Sequence, residues 1–246
     1  MLFDLSLAQI AALTIALVGA AYVRGYSGFG FSAIIIASAS LITNPLPLVP
    51  VVFACEILMT AFQARCIRPH IDWRRVGALL LGAAIVLPFS VTALLALGED
   101  TARLVISAIV LIMSLILLSG WTLTRTIGAA GHAGVGMASG LCNAAGIGGL
   151  PVAAFITAQP MAAATFRATM IVYLTGLDLI TLPWLWHGGM ITTDTALGVV
   201  YAFPFLGLGL WLGSQKFGKA SPQGFRKFTI AILLILSALG LIRAIL

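Results

Sequence analysis

Two short glycine-rich interruptions of hydrophobic sequence constrain this chain more than any other feature. One runs from Cys142 to Phe155 and reads C-N-A-A-G-I-G-G-L-P-V-A-A-F. Glycine is costly inside helices, so Gly146, Gly148 and Gly149 predict irregular backbone. Pro151 suits the first turn of a helix, where a missing N–H costs nothing. The stretch therefore reads as a loop followed by a helix N-terminus, set within apolar sequence. Free N–H groups and a positive dipole end at such a terminus suit an anion. The other interruption, Arg24–Ile36, reads R-G-Y-S-G-F-G-F-S-A-I-I-I. Its Gly28-Phe29-Gly30 aligns with Gly146-Ile147-Gly148, about half the chain later, and Ala33 stands where Pro151 would have its partner. Glycine-broken apolar segments at corresponding places in two halves point to a transporter binding site. Close helix packing is the competing reading of the same small residues.

Composition sets the surroundings. Hydrophobic residues make up 61% of the 246 and charged residues 8%, against about 25% charged in soluble domains. An all-α integral membrane protein follows, with no room for a soluble domain between the apolar runs. The net charge of +6 is scattered over short turns, which suits orientation in a lipid bilayer and not nucleic-acid binding. Cys55, Cys66 and Cys142 have neither metal-ligand spacing nor the pattern of a disulfide framework. The three histidines are far apart and no H-E-x-x-H or Cys/His motif occurs, so no enzyme activity, metal or cofactor is expected. Leu5–Val23 lacks the basic start of a signal peptide, carrying Asp4 instead, and reads as mature sequence.

Spans are expected at 48–64, 76–97, 102–120, 162–186, 195–212 and 228–246, with Gly-broken hairpins at 5–43 and 127–158. Lys and Arg mark cytoplasmic loops, which places 65–75, 121–126 and 214–227 inside. The turns 98–101 and 187–194 then lie outside. Corresponding loops of the two halves fall on opposite sides. This organisation reads as two inverted repeats, 1–126 and 127–246, each a hairpin followed by three transmembrane helices. Parity makes the first hairpin outside-facing and the second inside-facing, with both termini outside. Their breaks can meet near the midplane, where irregular backbone must line a cavity or be covered by protein. The tryptophans at 73, 121, 184, 186 and 211 sit near span ends, as interfacial anchors do.

At G-Y-S-G-F-G-F-S and N-A-A-G-I-G-G-L-P-V the chain resembles the TauE/SafE family of sulfite and organosulfonate exporters. H-I-D-W-R-R (His70–Arg75) and F-R-A-T-M-I-V-Y-L (Phe166–Leu174) carry the same resemblance, which covers essentially the whole sequence. It implies a multi-pass transporter of the bacterial cytoplasmic membrane that exports a small sulfur-containing anion. It implies neither which anion nor an oligomeric state.

The residues suggest how such an anion could be held. Arg24 beside the first Gly loop could bind sulfur-bound oxygens through paired N–H donors, or bind lipid phosphate. Asn143 holds the matching place in the second loop. With Gly28, Gly30, Gly146, Gly148, Gly149 and Arg167 these form the candidate substrate site, with the two halves rocking about it in alternating access. A channel or uniport route is the nearest alternative and a membrane enzyme the more distant one. Glu56 and Asp178 are acids deep within apolar runs, which are costly and face a cavity or a partner. They and His132 are candidates for coupling protons to transport. A salt bridge from an acid to Arg24 or Arg167 that fixes helix packing is the alternative.

Overall fold

The computed structural model describes residue 3 and residues 5–96, 99–119, 127–217, 234 and 238. Nine α-helices lie among them: α1 (Leu7–Ser27), α2 (Phe31–Ile42), α3 (Val49–Ile67), α4 (Trp73–Leu95), α5 (Glu99–Leu118), α6 (Ala129–Asn143), α7 (Gly149–Thr157), α8 (Ala163–His187) and α9 (Thr193–Lys216). The expected spans 48–64, 76–97, 162–186 and 195–212 fall on α3, α4, α8 and α9, and 102–120 falls on α5. The span 228–246 and the loop 121–126 lie outside the described residues, as does most of 214–227. Helices α1, α3, α4, α8 and α9 are long and apolar enough to cross a membrane.

The hairpins are unequal. Limb α1 has 21 residues, enough to cross, whereas α2 has 12, α6 has 15 and α7 has 9. The breaks and the two shortest limbs are covered by protein: Gly28–Ser40 and Asn143–Ile156 are buried throughout, while α6 keeps an exposed face at Met137 and Leu141. The breaks in backbone hydrogen bonding thus stay covered.

The first break is set by two left-handed glycines. Gly28 (φ +84°) donates its N–H to the Arg24 carbonyl and ends α1, and Gly30 (φ 90°) precedes α2. Residues with a Cβ rarely adopt this conformation. In the second break only Gly146 (φ +77°) is left-handed, while Gly148 is right-handed and Gly149 opens α7. The twin motifs thus share a place but not a conformation. Pro151 is the third residue of α7, in its first turn, and Ala33 is the third residue of α2.

Two tight helix pairs frame the molecule. Helix α1 runs parallel to α9: Thr14 meets Tyr201, and Tyr22 meets Gly213. Helix α4 runs parallel to α6: Leu79 meets Gly136, and Ala83 meets Gly140. Glycine makes both approaches possible. A Cβ on Gly82 would sit 1.9 Å from the Ala133 carbonyl, one on Gly136 2.0 Å from that of Leu79, and one on Gly213 2.1 Å from that of Tyr22. Backbones packed this closely exchange dispersion contacts over most of their length.

Helices α3 and α8 cross the centre antiparallel. Ile67 packs near Ala168 and Ile171 at one end, where Asp72 N–H also donates to Thr169 Oγ1 at 3.1 Å. That end gathers the starts of α4, α6 and α8, with Ile127–Ala129 beside Asp72–Arg75. The opposite end gathers the start of α1, the end of α2 and the turn between α8 and α9. The two hairpins therefore open at opposite ends of the bundle. Trp73, Trp184, Trp186 and Trp211 are exposed near helix ends; Trp121 lies outside the described residues.

Candidate functional site

The centre of the bundle holds a charge network assembled from both halves of the chain. Arg24 projects from the last turn of α1 and is 0% exposed. Its Nη1 donates to Glu56 Oε1 of α3 at 3.0 Å, and its Nη2 donates to Thr60 Oγ1 at 2.8 Å and to the Glu56 carbonyl at 3.4 Å. Thr60 and Thr175 of α8 meet through their hydroxyls at 2.6 Å. One turn further along α8 lies Asp178, 1% exposed. Neither of its carboxyl oxygens meets a donor of standard geometry among the described residues; its neighbours are Glu56, Arg24 and Asn143. Asn143 ends α6 and donates from Nδ2 to Thr181 Oγ1 at 3.0 Å.

The alternatives left open for Arg24 now divide. Its guanidinium is committed to Glu56 and Thr60, and it is enclosed. Burying a charge is tolerable only with a partner and hydrogen bonds, and Glu56 supplies the partner. Arg167 is different. It stands near the start of α8, half-buried, with Cζ 4.7 Å above the ring of Phe217. Its Nη2 donates to the Gly25 carbonyl and to Ser214 Oγ; its Nε, like that of Arg24, is buried without a partner. Arg167 and Asp178 lie on one helix, about 16 Å apart along its axis at 1.5 Å per residue, and do not pair.

Arg167 lines a cavity of about 280 Å³ under the first Gly loop. Ser27 and Phe29 of that loop, Thr157 and Gln159 at the end of α7, and Phe166 form other parts of its wall. Gly28 packs on Arg167 itself, where a Cβ would meet the arginine carbonyl at 2.8 Å and its Cγ at 2.9 Å. The first Gly loop thus positions the cation of the cavity. Gln159 and Thr157 went unremarked in the sequence because nothing in their spacing ties them to Arg167. Gln159-Pro160 reads only as a chain break.

The second Gly loop is closed. Ser139 Oγ donates to the Gly148 carbonyl and accepts from Tyr173 OH at 2.6 Å. A Cβ on Gly148 would meet Asn143 Oδ1 at 2.6 Å, and one on Gly149 would meet Leu174 at 3.1 Å. His132 lies away from the central acids. Its Nδ1 is 2.9 Å from the Gly128 carbonyl, its Nε2 is buried without a partner, and its ring stands edge-on to Phe155. Among the described residues no group of three or more His, Cys, Asp or Glu could hold a metal ion.

Membrane-length helices, backbone breaks covered by protein, and paired ionisable groups at the centre define a multi-pass integral membrane protein of the transporter class. The family model described as Sulfite exporter TauE/SafE matches residues 12–240, and the chain belongs to that family. Comparison with curated proteins and with solved structures gave no match.

Proposed function

We propose that the protein is a secondary transporter that exports a small sulfur-containing anion, sulfite or an organosulfonate, across the bacterial cytoplasmic membrane. The observation that carries this reading is the Arg167 cavity: a half-buried cation on the wall of a cavity of about 280 Å³ beside a Gly-broken helix entry. Guanidinium N–H groups match sulfur-bound oxygens in spacing and charge. The cavity lies at the end of the bundle that carries the basic segment 65–75, the cytoplasmic end by the distribution of Arg. An anion leaving the cell would load from that side.

Two inverted repeats, 1–126 and 127–246, are the arrangement we infer. The exchange of helices supports it: α1 pairs with α9 as α6 pairs with α4, and the hairpins open at opposite ends. Alternating access would then use the α3–α8 seam, since α1 is wedded to α9 and α4 to α6 by glycine contacts. The moving bodies would each contain helices of both repeats.

Glu56 and Asp178 would couple a proton to this motion. Two adjacent carboxylates against one Arg24 leave an excess negative charge in a buried site, and a proton shared between them removes it. Proton release to one face and uptake from the other would drive the anion. Arg24 would act as the fixed counter-charge, leaving Arg167 as the substrate cation.

The test is uptake of labelled sulfite and of a short alkanesulfonate into proteoliposomes, with and without an imposed pH gradient. Gradient-dependent uptake that is lost in Arg167→Ala is the expected result. Uptake unaffected by Arg167→Ala would overturn the site, and absence of uptake of either anion by folded protein would overturn the substrate class.

A further inference from the structure

Resting on the reading of the Arg167 cavity as the anion site, we infer that Arg167 is also a latch. With the cavity empty it ties α8 to the α1/α9 pair through Gly25 and Ser214, and a bound anion draws a hydrogen out of that tie and loosens it. The inference starts at the end of α1. The last four carbonyls of a helix lack partners within it, and in α1 these belong to Arg24–Ser27. The Arg24 carbonyl accepts from the Gly28 N–H. The Gly25 carbonyl accepts from Arg167 Nη2, and from Ser214 Oγ at 3.3 Å. A cation suits this negative end of the helix dipole. Gly25 is itself set against α9, since a Cβ there would meet the Leu210 carbonyl at 2.7 Å. The Arg167 guanidinium also covers the ring of Phe217, at the end of α9, to which Tyr26 stands edge-on. Helix α8 otherwise packs on α3, α4, α6 and α7. Among the described residues its hydrogen bonds to α1 and α9 are those of Arg167.

The tie and an anion need the same nitrogen. A guanidinium is a planar fork, and its two bidentate edges are Nε with Nη2 and Nη1 with Nη2. Nε is enclosed. Nη1 has no hydrogen-bond partner among the described residues and is not enclosed, which leaves Nη1 with Nη2 as the edge an anion can reach. A sulfonate held on that edge takes one of the two Nη2 hydrogens and leaves one for Gly25 and Ser214 together. Bidentate bonds between a guanidinium and an oxyanion are strong, whereas the Ser214 contact is long at 3.4 Å, so that contact yields first. Ser214 is not among the residues of the cavity wall. Its hydroxyl gives its one hydrogen to Gly25 and its two lone pairs to Arg167 and to Gln63 Nε2, the last at 3.5 Å. Ser214 is therefore a positioning residue, and its loss separates a latch from a mere support. Losing a support weakens anion binding. Losing part of a latch strengthens it, because the fraction of protein ready to bind rises.

The experiment is calorimetric titration of the purified full chain in nanodiscs with sulfite and with ethanesulfonate. Ser214→Ala should bind the anion about threefold more tightly or better, the worth of one modest hydrogen bond. Ser214→Thr keeps the hydroxyl and should return the affinity to that of the unaltered protein. Spin labels at Gln215 of α9 and Ala130 of α6, both exposed, report the spacing across the tie in a background without native cysteines. Saturating anion should add a second distance population that the unliganded protein lacks, and Ser214→Ala should show part of it without ligand. Weaker or unchanged binding by Ser214→Ala, a gain that Ser214→Thr shares, or a single unchanged distance at saturation would overturn the latch while leaving the anion site intact. No binding of either anion by folded protein would overturn the anion reading itself.

Discussion

Arg24 and Glu56 meet at 3.0 Å with side chains 0% and 1% exposed, so a full ion pair is enclosed where α1 passes α3. The two partners are not equivalent when one is lost. A carboxylate left alone can take a proton; an arginine cannot lose one. Arg24→Gln should therefore be tolerated, with Glu56 protonated. The double change E56Q/D178N, which strips Arg24 of both acids, should cost about 3 kcal/mol or more. Thermal melting in nanodiscs at neutral pH compares them, and a milder effect in the double variant would show that Arg24 is neutralised elsewhere.

Asp178 is predicted to matter for coupling and not for recognition. Asp178→Asn should leave sulfonate binding at the Arg167 cavity unchanged while abolishing accumulation driven by a pH gradient. Counterflow of substrate in the absence of a gradient should persist. Wild-type accumulation in Asp178→Asn would remove the proton role from this residue.

The 2.6 Å contact between Thr60 and Thr175 marks the seam between α3 and α8. In a background without native cysteines, Thr60→Cys with Thr175→Cys should form a disulfide under mild oxidation. If transport requires the seam to shift, the oxidised protein should be inactive and reductant should restore it. Full transport by quantitatively cross-linked protein would place the moving boundary elsewhere.

The glycine contacts give a paired prediction about stability. Gly82→Ala and Gly136→Ala place a methyl group within about 2 Å of a facing carbonyl and should destabilise by about 1–3 kcal/mol through forced helix separation. Gly134→Ala and Gly207→Ala meet nothing within 4 Å and should be neutral or stabilising by up to about 1 kcal/mol, the difference in helix propensity. Melting temperatures of the four variants settle whether glycine acts here through packing or through flexibility.

Much of the helical layout was legible because hydrophobic length and glycine placement are local signals. Pro151 and the left-handed Gly28, Gly30 and Gly146 set element ends that the chain announces directly. The depth of Glu56 and Asp178 was legible as well, since both lie well within apolar runs. Arg24 and Arg167 stood as candidate partners, but which arginine meets which acid was not legible. Arg24 is 32 residues from Glu56, and no periodicity reports which helices cross at which residue. The same holds for Gln159 and Arg167, which share a cavity wall only because α7 ends where α8 begins and the first Gly loop lies across both. Gly136 and Gly140 look like Gly134 in the sequence. Only the identity of the facing helix separates those that cannot accept a methyl group from the one that can.

The parallel pairing of α1 with α9 also bears on how the protein is made. The first described helix to leave the ribosome has as its close-packed neighbour the last of the nine. Until Thr193–Lys216 is inserted, the face of α1 that carries Gly25 has only lipid or another protein against it. Membrane insertion must therefore hold an unfinished hairpin through most of translation. A chain truncated before α9 should be cleared by membrane proteases even though every helix it contains is intact.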